Sequence, residues 1–322
     1  MPTAEEEFAV MLTATDYRFT REDFPTPDLA LRRPDGTQPH RAHTFAEEQA
    51  QAATVALGIL SRQFTDYPSL DSRVRFLRSM HRTLSDTWWA GLARRTDPRH
   101  TVGPRPGPER FATPITDADP NYDRLGHVGR RTYKATWDEA TRTYTGGIPT
   151  PASRILARYG ELALLRFELE APGEDVLFNE VVLPDGAWCV GNRLLRGHAA
   201  QAAAQELAAR LAARGLPAAR VETGGEPIFT ATATAADREL MFTAALELLA
   251  DTEHPQARTN WVRAAYLLYQ APRTKRDSDA VTRVFLAATS VLLTGQVIGL
   301  PQDIDLRGYV MGQSAFLINA LV

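Results

Sequence analysis

Apolar residues recur at helical spacing over most of the chain, and strand-like runs are confined to its middle. Val74, Leu77, Leu84, Trp88 and Leu92 follow that period and predict a helix over 71–95, which Asp71 or Ser72 can cap. A shorter helix is expected over 45–64. The last third repeats the pattern. Leu240, Phe242, Ala245, Leu246 and Leu249 predict a helix over 236–249. Trp261, Ala264, Ala265 and Leu268 predict one over 260–270, and Val281, Phe285, Ala288 and Leu292 one over 281–293. A final helix is expected over 306–321. An alanine-carried helix over 197–214 stops at Gly215-Leu216-Pro217.

Strands are expected between these blocks. Segments 131–137 and 142–145 are rich in Thr, Tyr and Trp and predict a hairpin. Segments 162–169 and 176–183 predict a second pair across Pro172-Gly173, and 187–190 a further strand after Pro184-Asp185-Gly186. A strand or flap over 219–232 carries Gly224-Gly225. Six prolines between 96 and 122 exclude helix and central strand there, which makes that stretch a surface connection. The first 44 residues, punctuated by Pro25, Pro27, Pro34 and Pro39, read as irregular. The pattern predicts an α+β protein. Residues 1–122 form a helical part with its Pro-rich connection. Residues 123–322 form a small antiparallel sheet and a C-terminal helical bundle. The two fold as one unit, because so few strands do not stand alone.

Composition narrows the classes. With 44% hydrophobic and 23% charged residues, the 322-residue chain is globular rather than disordered. Thirty-six basic and 39 acidic residues leave a net charge of -3, which calls for neither nucleic acid nor an anionic membrane as partner. The single cysteine, Cys189, excludes an internal disulfide and a Cys-based zinc cluster, and its strand setting reads as an inert buried thiol. Glu5-Glu6-Glu7 near the start is unlike a secretory signal, and no run of about 18 apolar residues occurs, so a cytoplasmic protein is expected. The wealth of Ala and Arg suits a GC-rich bacterial genome.

The chain holds no phosphate-cradling Gly-rich loop, no His-Glu-x-x-His and no Gly-x-Ser-x-Gly. Its seven histidines are scattered, and His40 and His43 fall in an expected loop, so no metal site is predicted. Trp88-Trp89 reads as core packing with one partly exposed ring, or as a stacking platform. Asp303 and Asp305, two apart, read as caps of the last helix; an acid/base role needs partners from elsewhere.

The segment 270–283 carries the strongest chemical signal. A helix ends before Pro272, a basic loop follows, and a new helix begins near Ser278, whose side chain can cap it. Helix N-termini favour anions. Lys275, Arg276, Ser278 and Arg283 are therefore the candidate anion-binding residues, and Arg283 falls off the stripe of Val281, Phe285, Ala288 and Leu292. The alternative is a capped helix beside a solvated basic loop.

The order of strand, two helices, loop and helix over 219–300 resembles the Fic/Doc (Fido) family. Pro272 matches the motif proline, Ala271 stands where the catalytic His belongs, and Arg283 falls one residue from the family's later Arg. The resemblance implies transfer of a nucleotide monophosphate or related group to a hydroxyl, with the usual base missing. Arg158-Tyr159-Gly160 and Asn192-Arg193-Leu194-Leu195 resemble fragments of the elimination and pyridine-forming enzymes of lanthipeptide and thiopeptide biosynthesis, while Asn192 alone reads as a helix cap. Three functions follow. The leading one is a divergent Fic-like transferase or natural-product tailoring enzyme acting on a phosphorylated or carboxylated small molecule. The second is a cofactor-independent peptide-modifying enzyme, and the third a non-catalytic anion- or nucleotide-binding protein. None requires a cofactor; the first admits a nucleotide with Mg2+.

Overall fold

The computed structural model describes residues 17–37, 40–93, 113–213, 215, 221–251, 256–275 and 278–319. Within them the protein is α+β, with a four-stranded antiparallel sheet, a separate two-stranded hairpin and nine α-helices. Helices α1 (His40–Gln63) and α2 (Leu70–Ala93) form an N-terminal pair. Helix α1 starts earlier than its apolar period, so His40 and His43 sit on a helix and not in a loop. Neither Asp71 nor Ser72 opens α2. Ser69 Oγ accepts from Ser72 N at 3.2 Å, and Ser72 Oγ accepts from Ser69 N at 3.1 Å, a reciprocal cap.

The main sheet is ordered β1 (Tyr122–Leu125), β6 (Ile228–Ala231), β5 (Trp188–Leu195), β4 (Val176–Val182). Strands β2 (Thr136–Asp138) and β3 (Thr143–Thr145) make the expected hairpin, shorter than its sequence run. Leu125, Leu177, Leu194 and Ile228 turn one face of the sheet onto helices α3 (Pro151–Glu170) and α8 (Ile304–Val310). The opposite face puts Leu195, Phe229 and Ala231 under helix α4 (Gly197–Ala213), whose Ala200, Ala203 and Ala204 let it lie close.

Two strand-level expectations fail. Segment 162–169 is the second half of α3, not a strand. Ile155, Leu156, Tyr159, Ala163 and Phe167 form its buried stripe, Thr150 Oγ1 caps it by accepting from Ser153 N, and Pro151 occupies its first position. Leu164, Leu165 and Leu169 lie exposed on the far side and give the segment its all-round apolar look. Strand β4 pairs with β5 instead, with a bulge between Phe178 and Glu180. Asn192 is not a helix cap: β5 runs to Leu195, and Asn192 is buried within it.

The C-terminal bundle comprises α5 (Ala235–Ala250), α6 (Ala257–Gln270), α7 (Ser278–Thr294), α8 and α9 (Gln313–Asn319). The single last helix expected is two, because Met311 leaves the helix with extended backbone. Helix α7 is the axis of the molecule, every residue from Ala280 to Leu292 being buried. One apolar cluster joins Leu57, Leu60 and Leu77 of the N-terminal pair to Phe242, Trp261 and Phe285 of the bundle. At the edge of the sheet, the Gln313 side chain accepts from Val182 N at 2.8 Å and donates to Val182 O at 2.9 Å. Among the described residues no helix is long and apolar enough to cross a membrane.

Candidate active site

A cavity of about 200 Å³ opens between β1, the turn Gly129–Arg131, the loop 272–275 and the first turns of α7 and α8. Each wall is fixed by its own bonds. The turn is held by the buried Glu222 carboxylate, which accepts from Gly129 N at 2.9 Å. A Cβ at position 129 would fall 2.4 Å from Tyr144 Cβ, so the turn needs glycine to sit this close to β3. Thr150 Oγ1 donates to Arg131 O at 2.7 Å. The loop is held by buried Arg238, which donates to Pro272 O at 2.9 Å and to Ile115 O at 2.8 Å. Helix α8 is anchored where Arg166 Nη1 donates to Val310 O and Asn179 Nδ2 donates to Tyr309 O.

The carboxylates come from the strand and the two helices: Asp123 on β1, Asp279 on α7, Asp305 on α8. Asp279 pairs with Arg283. Arg283 Nε donates to its two oxygens at 2.9 and 3.0 Å, and the Tyr269 hydroxyl donates to it at 2.9 Å. Asp305 is different. Its Oδ1 is sealed from solvent without a hydrogen-bond partner among the described residues, 4.0 Å from Arg283 Nη2. Burial first, and then the charge of Asp279, push its carboxyl up to about 7 against the pull of Arg283. A buried carboxyl raised this far can carry a proton beside a neighbour that is tied up in an ion pair. Tyr309, also lining the cavity, is pushed well above the usual phenol range by burial and by Asp305.

The cations come from the turn and the loop. Burial, then Arg32 and Arg130, bring Arg131 down to about 10, and its Nη1 donates to Leu29 O at 3.1 Å. Arg130 is exposed, and its guanidinium engages no partner among the described residues. Crowded like charges disfavour one another until an anion arrives between them.

The sequence-predicted residues divide. Lys275 and Ser278 line this cavity, but both are committed within the protein. Lys275 Nζ pairs with Asp119. The Ser278 hydroxyl turns backward, donating to Thr274 O at 2.6 Å and accepting from Thr274 N at 3.2 Å, so it clasps the loop. Arg276 lies outside the described residues. Arg283 is not off the buried surface: it is 3% exposed, its Nε turns back onto Asp279 at the helix start, and Nη1 and Nη2 donate to Pro301 O and Gln302 O at 2.9 Å each. Burial opposes its charge, and Asp279, Tyr269 and Asp305 more than restore it.

Residues of the second resemblance do not line this cavity. Tyr159 donates to Asp303 at 2.8 Å, Arg158 is exposed, and Asn192 N donates to Gln270 Oε1 at 2.6 Å. Asp303 caps nothing with its side chain, instead taking Arg307 Nε at 2.9 Å. Sequence reasoning missed Asp123, Arg130, Arg131 and Tyr309. The adjacent arginines and the Asp303/Asp305 pair were the available signals. Among the described residues no three His, Cys, Asp or Glu side chains converge as metal ligands. No protein-family model matches the chain, and no curated protein matches it significantly in sequence.

Proposed function

We propose that the protein is an enzyme that takes a small phosphorylated or carboxylated molecule into this cavity and moves a proton through Asp305. The observation that carries the reading is one carboxyl with a sealed oxygen that accepts no hydrogen bond among the described residues, beside a second carboxylate paired closely with Arg283, in a cavity whose other wall offers Arg130 and Arg131. Arg130 and Arg131 would fix the anionic group of the ligand, and a carboxyl titrating near neutrality suits a general acid or base. A divergent Fic-like transferase is one form of this reading, since the loop 272–275, which holds the proline matched by the resemblance, lines the cavity. Ala271 is buried and has no proton to exchange, so in this form Asp305 supplies the base. The reading needs no obligatory cofactor; a nucleotide with Mg2+ is one of the ligands to try.

The test is a melting and calorimetry panel of inorganic phosphate, pyrophosphate, nucleotides with and without Mg2+, and small carboxylates, with intact mass of the protein and of added acceptors. A bound ligand at 100 times its Kd stabilises by about 2.7 kcal/mol. Arg130→Ala is expected to leave the ligand-free melting point unchanged and weaken binding roughly tenfold to a hundredfold, the range for hydrogen bonds to a charged group. Asp305→Asn is expected to bind and not turn over. Silence across the panel, or full affinity in Arg130→Ala, overturns the reading.

A further inference from the structure

The polar cavity carries charges of both signs, and they do not all cancel in place. Lys275 is answered by Asp119. Arg124 is spent on the carbonyls of His127 and Gly224, beside the buried Glu222. Asp279 and Asp305 share one guanidinium, Arg283, at 2.9 and 4.0 Å. Arg130 and Arg131 of the turn and Asp123 of β1 still face the cavity.

Asp123 differs from the sealed oxygen of Asp305. It is an exposed residue in the cavity wall, so an occupant can reach it. Asn121 Nδ2 donates to its Oδ2 at 3.2 Å. An ionised carboxylate offers about four acceptor positions, so an incoming donor need not displace that bond. Arg131 and Asp305 both feel its charge, which places it within electrostatic reach of the cationic and the acidic walls alike.

A space of about 200 Å³ is about 7 Å across, less than the roughly 8 Å over which physiological salt screens charge. A phosphate or carboxylate held by Arg130 and Arg131 therefore meets Asp123 almost unscreened. A purely anionic ligand leaves that repulsion in place, and a cationic group on the same molecule turns it into attraction. The volume also falls below the roughly 300–1,000 Å³ of sites for drug-sized molecules, so the molecule is small. Val128, Leu156 and Leu306 add apolar wall for a short carbon stem.

We propose that the ligand is a small zwitterion, with its phosphate or carboxylate on Arg130 and Arg131 and its primary ammonium on Asp123. This rests on the anion site proposed above and names the class of molecule that fills it.

The test is calorimetry on the full chain in EDTA with two matched pairs of probes: phosphoethanolamine against ethyl phosphate, and 3-aminopropanoate against propanoate. The pairs distinguish the two anionic heads. In at least one pair the amine-bearing member is expected to bind about tenfold tighter, the low end for a hydrogen bond to a charged group. Asp123→Asn keeps the shape and removes the charge. It is expected to bring the members of that pair within about twofold of each other, with circular dichroism unchanged. Asp123→Glu keeps the charge and is expected to retain the preference. Equal binding within both pairs, a preference that survives in folded Asp123→Asn, or binding that appears only when Mg2+ replaces EDTA overturns the inference and leaves the anion site standing. A nucleotide or pyrophosphate that binds where neither amine-bearing probe does has the same effect. Silence from these probes and from the earlier panel overturns both.

Discussion

At position 283 all three guanidinium nitrogens are spent inside the protein, on Asp279 and on the carbonyls of Pro301 and Gln302. Arg283→Ala strands the half-buried Asp279 carboxylate and two carbonyls, and should cost about 3 kcal/mol in urea denaturation. Arg283→Lys should recover little, since one ammonium cannot span the three acceptors. The apolar period located the stripe of Val281, Phe285 and Ala288 correctly. It misjudged Arg283 because α7 is buried on every side, so a position off the stripe is still interior. Asp305 and His81 set opposing pH slopes. The folded state keeps the Asp305 proton to about 7, whereas an ordinary carboxyl of 3.8 has lost it, so this group's contribution falls as pH rises between those values. Burial first, with Arg273 and Arg78, brings His81 down from 6.5 to about 4, between the rings of Phe242 and Phe285. The unfolded chain then takes up the His81 proton first, and stability is lost as pH falls from about 6.5 to 4. The wild-type profile should be flattened by the opposition. Stability against pH should slope downward on acidification in Asp305→Asn, and downward on alkalinisation in His81→Phe.

Among the elements, α3 crosses close over the end of β1, backbone against backbone. A Cβ at Gly160 would come within 2.4 Å of Gly126 Cα and 2.5 Å of Gly126 N. Gly160→Ala must push the helix off the strand, at about 1–3 kcal/mol for such overpacking. Because Leu156 and Asp123 line the polar cavity from these two elements, the variant should also lose ligand affinity, read by the same calorimetry. Most elements were legible in the sequence, since α2, α5, α6 and α7 each bury enough surface to impose a period. Helix α3 was not, because exposed Leu164, Leu165 and Leu169 blur its stripe. The break between α8 and α9 was hidden because apolar residues continue across it, Val310 on one side and Phe316 on the other.

For the whole molecule, composition and pattern sufficed for the α+β class. The polar cavity was only half legible. The loop 272–275 and the start of α7 were visible as one sequence window, but their counterparts sit at Asp123, Arg130 and Asp305, brought over by the sheet and by α8. The outer edge of that sheet carries a further consequence. A glutamine side chain holds the same donor and acceptor as a peptide unit, so Gln313 stands on β4 as a single residue of a fifth strand would. Beside it Val182 and Trp188 are 53% and 69% exposed, an apolar strip on the outermost ladder. Gln313 thus works as a stopper against growth of the sheet from one molecule into the next, the hazard of any open edge. Gln313→Ala should leave the monomer's melting point within about 1 kcal/mol-equivalent of wild type, the net worth of a hydrogen bond. Light scattering should instead rise steeply with its concentration, and Val182→Lys on the same background should suppress that rise.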